Sequence, residues 1–348
     1  MSKKNSNVSN KKIDQFIDKK LFSLLSNKLK KKLKNLKNKK ILVAVSGGPD
    51  SLALSILTKS LETSLNLNIY YVLIDHGIRK KSYLEGVKTR LKLKKFGIKL
   101  NIIKNHQKIK NNIQSKAREI RYQLLSNFCK KKNINYLMTA HHSEDQVETF
   151  LIRLSRGSGV QGLSSMKIVT KLKSNLKIVR PLLDVKKKDL MHISKLVFGK
   201  YINDPSNKNP KFLRTKIRKL IKEMEKSGIG HEKILKSISN LSMTSETLEN
   251  YLKLFEKKSV KKSKSNFMIK FSDFLQVNKE IQFRVLQNIL VKCSKNYYPP
   301  RSEKIFSLIE RLKKKKSQKK QTLGNCIIFK QNKIIYVYKE PKSKKIKG

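Results

Sequence analysis

Residues 41–51 read ILVAVSGGPDS, and the helical pattern LALSILTKSL follows at once. Ile41–Val45 is a short apolar run, rich in β-branched residues, of the kind a buried parallel strand shows. Gly47 and Gly48 let the chain turn sharply and bring its backbone close to a ligand with no Cβ in the way. Ser46 and Ser51 add hydroxyls, and the helix that opens next turns its free N–H groups toward the same spot. Strand, glycine turn and helix N-terminus together make a cradle for phosphate. The Walker spacing and its lysine are absent. Asp50 sits inside the cradle, and an acid beside polyphosphate requires a hard cation such as Mg²⁺ between them.

Working outward, Ile41–Val45, Ile69–Ile74, Leu100–Ile103, Tyr136–Thr139 and Leu176–Leu182 read as strands. Helical periods at 51–64, 82–96, 113–132 and 143–155 separate them. This alternation predicts an α/β fold with a doubly wound, mostly parallel sheet, whose ligands lie at the carboxyl ends of the strands. The chemistry-bearing segments fall there: SGGPDS after the first strand, DHGIRK (75–80) after the second and AHHSEDQVET (140–149) after the fourth. On a helix over 143–155, Asp145 and Glu148 share a face one turn from the N-terminus. The bland reading of that pair is a helix cap with a solvated acidic turn. Upstream, residues 1–12 read as a basic lead-in, and the amphipathic pattern over 13–38 predicts a helix covering the edge of the sheet. Beyond about residue 215 the alternation stops. Residues 231–257, 273–293 and 301–316 read as helices, KKSVKKSKS (257–265) as a solvated loop, and GNCIIFKQNKIIYVYKE as two strands around a turn. The expected domains are therefore 1–38, a nucleotide-binding domain over 39–218, and a smaller, basic, mainly helical domain over 219–348 that ends in a β-hairpin.

Lys+Arg number 82 against 24 Asp+Glu, a net charge of +58, which implies a polyanionic partner gathered by a positive field. Part of that charge is compositional, since Lys, Asn and Ile are all abundant, as in an AT-biased genome. No uninterrupted apolar run of about 18 residues exists, so no membrane partner is expected. Cys129, Cys293 and Cys326 form no CxxC pair, which argues against a metal or disulfide framework and fits a reducing cytoplasm.

The strand–SGGxDS–helix unit resembles the PP-loop ATP pyrophosphatases, which cut ATP between the α and β phosphates and pass AMP to an oxygen of the substrate. Four further segments, IDHGIRKKSYLEG (74–86), AREIRY (117–122), TAHHSEDQVETFLIRLSRGSGVQGLSSM (139–166) and DPSNKNPKFLRTKIR (204–218), resemble the tRNA(Ile)-lysidine synthetases in content and order. The resemblance implies ATP-dependent ligation of free L-lysine to C2 of the wobble cytidine in tRNA(Ile) with a CAU anticodon. An adenylated cytidine is the intermediate, and lysidine, AMP and pyrophosphate are the products. The tRNA changes from methionine to isoleucine identity.

Residue chemistry and resemblance together nominate Asp50, Asp145, Glu148, Arg118 and Arg214 for catalysis. They nominate Ser46, Gly47, Gly48, Pro49, Asp50, Ser51, Asp75 and His142 for ATP, and Arg121, Arg156 and Arg218 for RNA. Mg²⁺ is expected at Asp50, Asp145 and Glu148. Arginine is scarce in this chain, so its concentration in these segments is not compositional drift. One departure stands out: the family usually carries two aspartates where this chain has Glu144 and Asp145, so Asp145 is the stronger metal candidate. A PP-loop tRNA sulfur transferase would share the adenylation but generally needs paired cysteines or an iron–sulfur cluster. A non-catalytic RNA-binding protein would have no use for the acids at 50, 145 and 148.

Overall fold

Ile41, Leu42 and Val43 expose almost no surface, so the strand that carries them, β1 (Lys40–Val45), lies inside a sheet covered on both faces. A computed structural model gives the structure of the chain and describes residues 13, 15–16, 19–77, 82–107, 113–172, 175–201, 213–263, 266–294, 299–314 and 319–341. The basic lead-in, Ile78–Lys80, residues 204–212 and the lysines at 315–316 lie outside the described residues. The chain divides into two compact units after Ser242.

In the first unit, α1 (Lys20–Leu33) precedes β1, and α2 (Pro49–Ser60) follows it. Then come β2 (Asn68–Asp75), α3 (Ser82–Lys94), β3 (Leu100–Lys104), α4 (Ile113–Lys132), β4 (Tyr136–Met138), α5 (Ser143–Leu154) and α6 (Val160–Leu163). β5 (Val169–Lys171), β6 (Lys177–Val179), α7 (Lys187–Phe198) and α8 (Leu213–Lys226) complete the run. The sheet order is β3-β2-β1-β4-β6-β5, parallel except for β5 against β6. The chain winds outward from β1 through β3, then crosses back to place β4 on the other side of β1. That reversal is a topological switch point, where a crevice opens at the strand ends.

α2 is buried on nearly every side: Leu52, Ala53, Leu54, Ile56 and Leu57 are all within 1% of full burial. It packs on β1, α1 and α7. Each buried leucine or isoleucine contributes roughly 1.5–3 kcal/mol, so the helix that opens at the phosphate cradle is firmly anchored. α1 packs through Phe22, Leu25, Leu29 and Leu33 onto α2 and α7, and Phe16 ahead of it meets Phe96, which leads into the edge strand β3. Lys28 and Lys32 of α1 both pair with Asp184, just before α7, which fixes it on the helical layer. β6 is shorter than its apolar run because Pro181, which lacks an N–H, follows Arg180. β5 has only three residues, too few for a periodic pattern.

The division falls later than residue 218 because α8 lays Ile217, Ile221 and Met224 against Val147 and Leu151 of α5 and against Ile234 and Ile238. Those last two belong to α9 (His231–Ser259), within which the division lies.

The second unit contains β7 (Val260–Ser263), β8 (Asn266–Lys270), α10 (Phe271–Gln276), α11 (Lys279–Ser294), α12 (Ser302–Lys313), β9 (Gln321–Thr322), β10 (Cys326–Gln331) and β11 (Ile334–Lys339). The expected hairpin is β10–β11, with Asn332 and Lys333 both at positive φ in a two-residue turn. It is the centre of a five-stranded antiparallel sheet, β7-β8-β11-β10-β9. Residues 260–263, expected as loop, form the lysine-bearing edge strand β7, where charge is the usual guard against further pairing. The helix expected over 273–293 is broken at Val277–Asn278, because Asn278 Oδ1 accepts the Ile281 N–H at 3.0 Å and starts α11 afresh.

Candidate active site

The cradle closes on itself through serines. The Ser46 N–H donates to Ser51 Oγ at 3.1 Å, the two hydroxyls lie 3.1 Å apart, and Ser51 Oγ donates to Gly48 O at 3.0 Å. Gly47 takes φ +81°, which an L side chain rarely adopts. Pro49 occupies the first turn of α2, where its missing N–H costs nothing, and Asp50 follows it. The second loop is held by Asp75, whose Oδ1 accepts from Gly77 N at 3.0 Å and Ser82 Oγ at 2.7 Å.

Across the switch point, α5 starts at the end of β4 and turns its first residues toward the cradle. His142 is buried among carboxylates: its Nε2 lies 3.7 Å from Asp50 Oδ2 and 3.5 Å from Asp145 Oδ2, and its Nδ1 lies 3.1 Å from Glu144 Oε2. Burial alone would lower its pKa, but the Glu144 hydrogen bond and the charges of Asp145 and Asp50 raise it above the ordinary value. Burial raises Asp50, which His142 and Lys187 only partly offset. Asp145 Oδ2 also accepts the His142 N–H at 3.1 Å, capping α5.

Glu144 faces the other way. Its carboxylate accepts the Lys187 N–H at 3.0 and 2.9 Å, at the start of α7, and the Ser143 hydroxyl at 2.9 Å. Burial works against its charge, yet the hydrogen bonds from His142 and from the backbone bring it down to about 2. The longer side chain at 144 therefore ties α5 to α7 and steadies His142. Glu148 is paired with Arg218 of α8: Nε to Oε1 is 2.5 Å and Nη2 to Oε2 is 3.4 Å. Both its oxygens are engaged by the guanidinium, so the acids left facing the cradle are Asp50 and Asp145. Arg218 is near enough to both that their charges help to raise its pKa.

Asp50 Oδ1 is buried with no hydrogen-bond partner among the described residues. A buried carboxylate oxygen without a donor fits a cation. Among the described residues, no three His, Cys, Asp or Glu side chains form a self-sufficient metal cluster. Asp50 and Asp145, the two carboxylates facing the cradle, match the one or two that Mg²⁺ usually takes beside phosphate oxygens and water.

A second, cationic grouping adjoins the first. The guanidinium carbons of Arg118 and Arg121 lie 5.1 and 5.6 Å from the Tyr122 ring. Burial lowers the pKa of Arg121, with Arg118 and Arg214 near enough to depress it further. His141 connects the groupings: burial lowers it to about 3, Asp145 opposes, and Arg180, Arg118 and Arg121 reinforce. It is neutral at physiological pH, with Nδ1 2.8 Å from Thr139 Oγ1. Arg156 is exposed beyond α5 and joins neither grouping.

Four residues that the sequence left unassigned hold this arrangement. Gln146 exchanges hydrogen bonds with the Met166 backbone, both at 2.9 Å, and Arg153 donates to Gly162 O and Ser165 O at 2.6 and 3.0 Å. These bonds pin the segment after Gly157 to α5. Arg180, buried at 7% exposure, donates to Lys167 O at 3.0 Å and Thr170 Oγ1 at 2.8 Å, and its charge reaches His141. Glu144 is the fourth. The scarcity of arginine could have flagged Arg153 and Arg180, though nothing in the local pattern gives their partners. Cys129 is buried and its thiol is pushed up to about 12, which makes it a poor nucleophile.

Residues 22–224 match the PP-loop domain family. The chain is 36% identical over 307 residues to the tRNA(Ile)-lysidine synthase of Wolbachia pipientis wMel, covering 87% of this chain and 71% of that protein. It is 34% identical over 316 residues to that of Orientia tsutsugamushi (strain Boryong), covering 87% and 70%. Among solved structures it is similar to the U34-tRNA thiolase of Methanococcus maripaludis, with a TM-score of 0.53 and 18% identity over 64% of this chain and 79% of that one. That last likeness speaks to the fold alone.

Proposed function

This chain belongs to the tRNA(Ile)-lysidine synthase family, and on that premise we propose that it ligates free L-lysine to C2 of the wobble cytidine of tRNA(Ile) with a CAU anticodon. The observation that carries the reading is the pairing of an SGGxDS cradle with Asp50, His142 and Asp145 at the switch point of the sheet.

The C2 oxygen of cytosine is a poor leaving group. Transfer of AMP to it, with loss of pyrophosphate, makes it a good one, and the lysine ε-amine then attacks C2 and displaces AMP. The N–H groups of α2 and the Ser46–Ser51 loop hold the phosphates of ATP. Asp50 and Asp145 would hold Mg²⁺, which when bound neutralises the crowded phosphate oxygens. His142, among carboxylates that raise its pKa, stands beside the same oxygens. Arg118, Arg121 and Arg214 face the developing charge on the transferred phosphate.

The incoming amine has a solution pKa of about 10.4 and must be neutral to attack. Neighbouring guanidiniums disfavour its charged form, whereas His141, neutral at physiological pH, adds nothing to that effect. Arg218 holds the Glu148 carboxylate in place through both its oxygens. Arg156 and the basic residues of 219–348 supply sequence-independent contact with tRNA. A cytoplasmic site of action follows from that substrate, and no helix among the described residues is long and apolar enough to cross a membrane.

The test is tRNA-dependent release of pyrophosphate from ATP. The wild type should show it and Asp145→Asn should lose it. Release that proceeds equally without tRNA, or not at all with it, would overturn the reading.

A further inference from the structure

The antiparallel sheet of the second unit has one face committed to the core and one that is not. Ile328, Ile335 and Val337 point inward and are fully buried against the helical layer that includes α11. The alternate positions carry Phe329, Tyr336 and Tyr338, all partly exposed. Their ring centroids lie 5.1 Å (Phe329–Tyr336), 5.7 Å (Phe329–Tyr338) and 6.0 Å (Tyr336–Tyr338) apart, with planes within 31° of one another.

Register places this patch in a single row across four strands. Lys261 of β7 lies opposite Met268 of β8, Met268 opposite Tyr336 of β11, and Tyr336 opposite Phe329 of β10. Lysine closes both ends. Lys261 is exposed on the edge strand, and Lys320 Nζ stands 5.8 Å from the centre of the Phe329 ring. Three inter-strand steps make the row about 14 Å long, enough for two or three nucleotides in an extended strand.

We propose that this face binds a short run of unpaired nucleotides of the tRNA substrate. Their bases stack on Tyr336, Phe329 and Tyr338, and their phosphates lie on Lys261 and Lys320. The inference rests on the tRNA-modifying reading above and adds to it where, and by what chemistry, the second unit would take hold. Three features favour this occupant. Adjacent aromatic rings offer π-surface to any base, which is how sequence-tolerant single-strand binders work. A duplex hides its base faces, so an aromatic row gains little from one. The lysines that end the row sit where a backbone would leave it, and residues 243–348 hold 27 Lys+Arg against 8 Asp+Glu, complementary to a polyanion.

The full chain is titrated with a fluorescent single-stranded RNA of about ten nucleotides, with the same strand in a duplex, and with anionic phospholipid vesicles. Lysine incorporation into tRNA is measured on the same preparations. Tyr336→Leu and Phe329→Leu keep an apolar group on the sheet and remove the π-surface. Each should weaken single-strand binding about fivefold or more and raise the KM for tRNA to match, with kcat and the KM for ATP unchanged. Lys320→Gln should lower the salt slope by about one. Because a substitution could loosen the sheet, the wild type is also irradiated with a thiouridine-substituted strand, and cross-links should map to Phe329, Tyr336 or Tyr338. Single-strand affinity and tRNA KM that stay within about twofold in both leucine variants would overturn the proposal. So would cross-links elsewhere, or a preference for duplex or vesicles over single strand. If the wild type binds single strands through these rings but makes no lysidine, the row stands and the reading of the reaction fails.

Discussion

Replacing Glu144 by Gln removes one negative charge from the junction of α5 and α7 while keeping its size. In the fold, hydrogen bonds from His142 and the Lys187 backbone overcome burial and bring this carboxyl from its ordinary 4.5 to about 2. That gap corresponds to ~3 kcal/mol in favour of the folded, ionised form. The side chain is 32% exposed, so solvent screening reduces the figure to about 1–2 kcal/mol. The folded pKa is depressed, so the contribution is fully present above about pH 4.5 and is lost as pH falls toward 2. By linkage, less than half of it should survive near pH 3. Urea unfolding of the wild type and Glu144→Gln, followed near pH 6 and near pH 3, checks this. The variant should be less stable by about 1–2 kcal/mol at the higher pH, with the difference at least halved at the lower. An equal difference at both values would refute the assignment, because the carboxylate's charge would then not be what joins the two helices.

Arg218→Met should cost about 2–4 kcal/mol, because Glu148, 4% exposed, would be left as an unpaired buried charge; adding Glu148→Gln should recover much of that loss in the same urea assay. Asp50→Asn should separate stability from function. Burial raises this carboxyl, so its ionised form is a liability to the fold at neutral pH, and the variant's melting temperature should not fall. Its tRNA-dependent pyrophosphate release should nonetheless drop about 100-fold or more. Affinity for tRNA, measured by filter binding, should fall roughly 10³-fold or more between about 50 and 200 mM salt if several phosphate contacts carry it.

Much of this architecture was legible along the chain because local pattern and tertiary role coincide. β1 is an unbroken apolar run because both its faces are buried, and the glycines and Asp50 follow because the strand ends at a switch point. The hairpin β10–β11 alternates clearly, since one face is core and the other is not. What the sequence concealed depends on partners distant in the chain. β7 reads as loop because an edge strand is best guarded by lysines, which have low strand propensity. The boundary expected at residue 218 cuts through α8 because the seam made by Ile217 and Ile221 shows only once α5 is in place.

The site follows the same rule. Asp50, His142 and Asp145 were found from their motifs and do converge. That Glu148 faces Arg218, 70 residues on, instead of the cradle could not be read from its helical spacing to Asp145. Neither could Glu144 as the tie to Lys187, since a carboxylate next to another looks like a second ligand until its hydrogen bonds are seen. Arg180 was hidden in an apolar strand end, and its nearness to His141 depends on the pairing of β4 with β6.

The central claim is the ligation of lysine to a wobble cytidine, and incorporation of radiolabelled L-lysine into unmodified tRNA(Ile) tests it most directly. With ATP and Mg²⁺, the wild type should label the transcript bearing a CAU anticodon and leave one with U at the wobble position unlabelled. Asp145→Asn should label neither. Tight tRNA binding with no lysine transferred, or equal labelling of both transcripts, would contradict the account.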